Sequence, residues 1–276
     1  MARNRKAARR PVARRSAGTG LKLPLVLGAV AAVALIAGLF VYQSQTAKAM
    51  AMDPETLCPA AGPRAMTAIL VDVTDGLAPV QVAKLRELVG QRIDEAEVGT
   101  AFSLGMVSDD PARLGAQVAL CKPHSGRDVS ALNQNLRLVG ERYEGRFLQP
   151  LNAMFEQMIA ASGAKQSPIM EGLQALISET PGFIAFAGPK RVIIVSDLLQ
   201  HSAAMSFYRG EDWKSFRASP AAGRLSRSLE DAGVELFLIP RPGEWKGNVA
   251  TLEDFWIRYL DHQGASAPKV TTLGDL

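Results

Sequence analysis

The feature that most constrains this chain is an apolar run at residues 21–42, LKLPLVLGAVAAVALIAGLFVY. It has no charged residue after Lys22. At about 1.5 Å of rise per residue, a helix of this length matches a hydrocarbon layer roughly 30 Å thick. A cleaved signal peptide is the alternative, but the run exceeds the usual apolar core of ~7–15 residues and only a weak cleavage site follows. The run therefore predicts a retained single-pass transmembrane helix.

Charges around this run predict its orientation. Eight Lys or Arg residues precede or open the run, and no acidic residue occurs before Asp53. The positive-inside rule therefore predicts that residues 1–20 form a basic cytoplasmic tail, which would also contact anionic lipid headgroups. The larger part of the chain is then expected in the periplasm, attached to a bacterial inner membrane.

The net charge of +4 misleads unless the chain is divided at the membrane. Beyond the run, 23 of the 31 Lys and Arg residues oppose 27 Asp and Glu residues, which leaves this part at −4. The basic balance belongs to the tail, so no nucleic-acid partner is expected.

The chain's two cysteines, Cys58 and Cys121, both lie beyond the run. An even number of cysteines in an oxidising compartment predicts one disulfide, which would connect a stalk at residues 43–64 to the folded domain.

Residues 65–265 are expected to form one α/β domain. Strands are predicted at 66–73, 99–107, 116–121, 191–196 and 234–240, and helices at 79–93, 144–162, 168–178, 213–232 and 252–262. Their alternation predicts a doubly wound, mostly parallel sheet. The segment VSDDPARLG before the third strand is too short for a helical crossover, so that strand is expected to be antiparallel at one edge. Residues 266–276 are expected to form a flexible tail.

Three polar clusters follow the predicted strands in a way that suggests one site. The sequence DVTDG at 72–76 follows the first strand, QSP at 166–168 opens the third helix, and Asp197 follows the fourth strand. In an open α/β sheet, ligands bind outside the carboxyl ends of the strands. The clusters are therefore expected to meet at that edge.

With these clusters in this order, residues 66–264 resemble the von Willebrand factor A-type (vWA) family. That family has a metal-ion-dependent adhesion site built from an Asp-x-Ser-x-Ser loop, a Thr and a second Asp. The positions here that match it are Asp72, Thr74, Ser167 and Asp197. The resemblance implies oxygen ligands for Mg²⁺. Gly76 stands where the family has its second Ser, so Mg²⁺ binding is expected to be weak or lost, and Asp75 is a further candidate for binding at this edge.

The resemblance implies a protein-binding module, not an enzyme, that acts as a scaffold or adaptor for envelope or membrane proteins. The alternative is a metal-dependent envelope hydrolase that uses Asp72 and Asp197 with His201. No Gly-x-Ser-x-Gly or phosphate-binding loop motif supports that alternative.

An aromatic segment after Asp197 suggests where a partner binds. Phe207 and Tyr208 lie among charged residues, as is typical of interface residues, and both are expected to be exposed. Trp213 and Phe216 follow at helical spacing and are interpreted as core residues.

Overall fold

The computed structural model describes residues 22–49, 52–128, 135–160, 163–241, 245 and 247–273. The chain divides into two units, residues 1–50 and 51–276. The first contains helix α1 (Lys22–Ala49), whose side chains are described at 27, 28 and 30–42. Counting only what the structure describes, no helix is both long and apolar enough to cross a membrane. The anchor and its orientation stay predictions, and the tail at residues 1–20 lies outside the described residues.

A six-stranded sheet forms the centre of the second unit. Its order is β3-β2-β1-β4-β5-β6, and every neighbouring pair is parallel except β2 and β3. The strands are β1 (Ala65–Asp72), β2 (Thr100–Val107), β3 (Ala116–Cys121), β4 (Lys190–Ser196), β5 (Gly233–Leu238) and β6 (Ser266–Thr272). The predicted α/β class, with its antiparallel edge strand, is confirmed.

Helices cover both faces of the sheet. They are α2 (Pro79–Glu95), α3 (Leu136–Gly140), α4 (Gln149–Ala160), α5 (Ile169–Glu179), α6 (Trp213–Ala218), α7 (Pro220–Arg224) and α8 (Val249–Asp261), with a π-helical segment, Glu141–Leu148, between α3 and α4. Apolar residues of α2, the π-helical segment and α4 pack on one face, and those of α5 to α8 pack on the other.

The burial of the central strands on both faces explains why their sequences are apolar throughout. In β1, Ile69 and Val71 face the layer of α2 and α4, whereas Ala68 and Leu70 face the layer of α5 and α8. Successive side chains of a strand point to opposite faces, so a strand covered on both sides needs apolar residues at every position.

The C-terminal segment differs from the prediction. Residues 266–272 do not form a flexible tail but β6, which pairs with β5 in parallel. The strand lies at the sheet edge and most of its side chains are exposed, so its sequence SAPKVTT lacks an apolar pattern. Pro268 fits there because an edge strand tolerates a residue with no N–H to donate.

The predicted helix at 213–232 is also wrong. The structure has two short helices, α6 and α7, separated at Ser219 and Pro220. Proline has no backbone N–H to donate inside a helix, but it fits the first position of a new helix, where that donor is not needed. Residues 225–232 then return to the sheet without regular structure.

The segment expected as a stalk packs partly on the domain. Leu57 is buried, and the backbone N–H of Cys121 donates to the carbonyl oxygen of Thr56 at 2.8 Å. The predicted disulfide between Cys58 and Cys121 is present, with Cα atoms 4.7 Å apart. It connects this segment to the end of β3.

Candidate functional site

Three loops meet at the carboxyl edge of the sheet, as the sequence predicts. The carbonyl oxygen of Thr74 accepts hydrogen bonds from the backbone of Gly163 and Ala164, at 2.9 and 3.0 Å. Ser167 and His201 then exchange two backbone hydrogen bonds, at 2.8 and 3.0 Å. The loop after β1 is therefore joined to the loop before α5, and that loop to the one after β4.

Asp72 is the centre of this arrangement. Its Oδ1 accepts from the hydroxyl of Thr74 at 2.7 Å and from the Thr74 backbone at 3.1 Å. Its Oδ2 accepts from the hydroxyls of Ser167 at 2.9 Å and Ser196 at 2.7 Å. Asp72 is buried, and buried carboxylates are stabilised by such donors. One carboxylate therefore accepts hydrogen bonds from the loop after β1, the loop before α5 and the last residue of β4.

Asp197 carries the second buried carboxylate of the edge. One oxygen accepts from the backbone of Leu199 at 2.9 Å, and the other lies 3.7 Å from Nε of Arg241. Burial, followed by the nearby charge of Asp72, raises the pKa of Asp197 to about 7 although Arg241 opposes that shift. Two acids therefore share a water-poor region that contains less positive than negative charge.

Arg241 is a site residue that the sequence reasoning missed. Its Nη1 donates to the carbonyl oxygen of Gly76 at 2.9 Å, and its Nη2 to that of Asp75 at 3.1 Å. Nε is buried and has no hydrogen bond of its own. The guanidinium thus connects the loop after β1 with Asp197. The available signal was its position, because Arg241 follows β5 at the same edge as the three polar clusters.

The loop after β4 has an uncommon backbone conformation. Leu198 has a φ of 63°, a left-handed value that costs a non-glycine residue roughly 1–2 kcal/mol. Its N–H donates to the hydroxyl of Ser196, and its carbonyl oxygen accepts from Nε1 of Trp256, both at 2.8 Å. These contacts hold the turn that presents Asp197. Ser196, the last residue of β4, was also missed although it immediately precedes a predicted site residue.

A shallow cavity of about 220 Å³ opens at this edge. It is lined by Thr74, Asp75, Ala164, Lys165, Gln166, Ser167, Asp197, Leu199, His201 and Tyr208. The structure therefore brings together five residues of the predicted binding edge, including Asp75 and Tyr208, with His201 of the hydrolase alternative, and Asp72 is buried behind Thr74 and Ser167.

The two predicted interface aromatics have different environments. Tyr208 is 50% exposed, and its ring lies against His201 with centroids 5.3 Å apart. Phe207 is only 6% exposed and packs against Phe255 and Trp245. The expected exposure of Phe207 is wrong, because the 3₁₀ turn at this point sends neighbouring side chains in opposite directions. Phe216 is buried, in agreement with its interpretation as a core residue.

His201 lies at the cavity but is engaged in a structural contact. Its Nδ1 is 2.7 Å from the hydroxyl of Ser206, which also accepts from the backbone of Tyr208. Ser206 is fully buried, so this Ser–His pair does not present an accessible nucleophile.

The site residues only partly suit a divalent cation. Carboxylate and hydroxyl oxygens are the ligands that Mg²⁺ prefers. However, both oxygens of Asp72 accept hydrogen bonds, one oxygen of Asp197 faces Arg241, and Gly76 supplies no side-chain oxygen. Among the residues that the structure describes, no group of three or more His, Cys, Asp or Glu side chains could hold a metal ion. This arrangement does not fit a tightly held divalent ion.

Comparisons with known proteins find only distant structural likenesses. No family model matches it, and no curated protein sequence matches it. One similar solved structure is an aerotolerance-related membrane protein from Bacteroides fragilis with multiple mutations to serines, at 10% identity and a TM-score of 0.36, covering 76% of this chain and 92% of that one. Another is a von Willebrand factor type A protein from Catenulispora acidiphila, at 16% identity and a TM-score of 0.31, covering 73% of this chain and 43% of that one.

Such likenesses carry no argument about function, which therefore rests on the geometry of the edge. What the strand order and the antiparallel edge strand define is a vWA-like α/β domain.

Proposed function

We propose that this chain is a membrane-anchored, vWA-like binding module that presents the carboxyl edge of its sheet to a protein partner. The domain would face the periplasm and act as a scaffold or adaptor in an envelope complex. The observation that carries the proposal is the gathering of three loops around Asp72 beneath a shallow polar cavity. Buried hydrogen bonds of this kind fix the backbone of an otherwise irregular edge, and a rigid edge loses little entropy when it binds.

The residues at the rim of the cavity are consistent with a protein as the ligand. Tyr208 is half exposed beside the cavity, and tyrosine is enriched among residues that dominate the binding energy of interfaces. Lys165 and Gln166 are exposed on the opposite loop and supply hydrogen-bond donors. The mixture of one aromatic ring with polar groups suits a protein surface with acceptor groups, and we propose no nucleic-acid partner.

Binding is favoured over hydrolysis by the chemistry of the same edge. A hydrolase would need an accessible nucleophile or a metal-activated water, and His201 is engaged with buried Ser206. We therefore propose no enzymatic activity and no requirement for Mg²⁺. If an envelope hydrolase activity were found and His201→Ala abolished it, the hydrolase reading would replace this one.

The test is quantitative co-purification from solubilised, chemically crosslinked membranes. Wild type, Tyr208→Ala and Ile257→Ala would be compared; Ile257 is a matched control because it is 40% exposed on α8 and does not line the cavity. We expect at least one envelope protein to be recovered with wild type and Ile257→Ala but reduced roughly tenfold or more with Tyr208→Ala, since one interface tyrosine contributes about 1–2 kcal/mol or more. Equal recovery by all three chains would contradict a partner at this edge.

A further inference from the structure

We propose that Arg241 is the resident cation of the carboxyl edge and takes the place of a divalent metal ion. Its guanidinium joins the loop after β1 to Asp197, and both of these parts of the edge contain residues that match the metal ligands of the vWA family. The inference concerns the same site as the proposed function but does not depend on the existence of a partner.

The first support is the geometry of the guanidinium. Two of its nitrogens donate to the carbonyl oxygens of Asp75 and Gly76, and Nε lies 3.7 Å from a carboxylate oxygen of Asp197. The planar, always charged guanidinium presents several donors in a fixed fork, so one side chain can contact two loops at once. Arg241 therefore uses the backbone at Gly76, the position where a side-chain oxygen is absent.

The second support is the balance of charge. Asp72 and Asp197 are both buried, and the Arg241 side chain is itself only 15% exposed. Buried carboxylates without a nearby cation are costly, because desolvation strongly disfavours the charged form. Removal of Arg241 would leave both acids in a water-poor region without the cation that pairs with Asp197. The negative charge of these carboxylates would then favour the binding of a divalent ion.

The test measures thermal unfolding of the full-length chain in detergent, followed by tryptophan fluorescence, in chelator and in millimolar Mg²⁺ or Mn²⁺. We expect both ions to leave the wild-type midpoint unchanged. Arg241→Gln should unfold at a temperature lower by roughly 2–8 °C in chelator and recover much of that loss when the ion is added. The double variant Asp72→Asn with Arg241→Gln should lose the recovery.

Arg92→Gln is the matched control. Arg92 is also partly buried and pairs with a carboxylate, Glu235, at 2.7 Å, but it lies at the other end of the strands. It should lower the midpoint with no recovery by the ions. The proposal is overturned if the ions stabilise wild type, if Arg241→Gln unfolds like wild type, or if its loss is not recovered.

A second measurement keeps the test decisive if Arg241→Gln does not fold. The uptake of Mn²⁺ by wild type can be followed by the loss of the free-ion electron paramagnetic resonance signal. No uptake at low millimolar Mn²⁺ supports Arg241 as the resident cation, whereas stoichiometric uptake that Asp72→Asn removes contradicts it. Neither result bears on partner recovery in chelator, which tests the proposed function separately.

Discussion

The buried side chain of Lys122 caps the C-terminal end of α2. Its Nζ donates to the carbonyl oxygens of Ile93 at 2.8 Å, Asp94 at 3.1 Å and Ala96 at 2.8 Å. Carbonyl groups in the last turn of a helix have no partner within the helix, and a cation at that end also interacts favourably with the negative end of the helix dipole. Lys122 thus fixes the end of α2 next to the disulfide at Cys121.

We predict that Lys122→Met lowers the free energy of unfolding by on the order of 2–4 kcal/mol, because it leaves buried acceptors without donors. Lys84→Met is the control, since Lys84 is exposed and its ion pair with Glu87 should contribute less than about 1 kcal/mol. Chemical denaturation of both variants measures the difference. Equal effects would show that the three hydrogen bonds of Lys122 contribute little.

Asp197 predicts a pH dependence of stability. Burial and the charge of Asp72 raise its pKa to about 7 in the folded chain, against about 3.9 for an unfolded Asp. Between these two values the folded chain binds a proton that the unfolded chain has released. The contribution of Asp197 to the free energy of unfolding is therefore complete below about pH 4 and is lost as the pH rises toward 7.

Asp197→Asn should remove this contribution, on the order of 1–4 kcal/mol across the interval. Denaturation at pH 5 and pH 8 should therefore show a smaller decrease in stability for Asp197→Asn than for wild type. Asp254→Asn is the control, because Asp254 is exposed on α8 and pairs with Arg258 at the surface. If wild type and Asp197→Asn lose equal stability, the assigned pKa is wrong.

At the scale of elements, the helices and strands that could be predicted are those with a clear local sequence pattern. The buried strands β1, β4 and β5 have continuous apolar sequences, and the short connection to β3 excluded a crossover, so the sheet could be recognised. The edge strand β6 could not be recognised, because most of its side chains face water and its polar sequence resembles a tail. The break between α6 and α7 was foreseeable from Pro220, whose ring ends a helix.

The candidate site was predictable in part for a similar reason. Asp72, Thr74, Ser167 and Asp197 follow strands or open a helix, so the topology alone brings them together. Arg241 donates its two hydrogen bonds to the backbone carbonyls of Asp75 and Gly76, and a backbone contact does not require a particular side chain in the residue contacted. Phe207 was misassigned because the choice between the two sides of a short turn depends on packing with Phe255, which is distant in sequence.

We predict that the disulfide stabilises the whole domain and not only the stalk segment before it. It closes a separation of 63 residues, for which loop-closure entropy corresponds to about 4 kcal/mol. Because Leu57 is buried beside it, the double variant Cys58→Ser and Cys121→Ser should expose this segment to protease and lower the midpoint of unfolding. Limited proteolysis with thermal unfolding tests this. Resistance and a midpoint equal to wild type would contradict it.

At the scale of the whole molecule, the one-sided distribution of cations predicts the topology. A reporter that is active only outside the cytoplasm, fused after Leu276, should be active, and the mature chain should retain its first residues. An active cytoplasmic reporter at the same position would reverse the orientation. A mature N-terminus near Met50 would instead show that residues 21–42 act as a signal peptide.

The most direct test of the central claim, that the carboxyl edge binds a protein partner, is site-specific photocrosslinking in the cell envelope. A photoreactive amino acid would replace Gln166, which is exposed at the cavity, or Ile184, which is 39% exposed and outside it. We predict a discrete protein adduct at position 166 that is absent at position 184 and reduced by Tyr208→Ala. An adduct at position 184 with none at position 166 would show that another surface binds the partner.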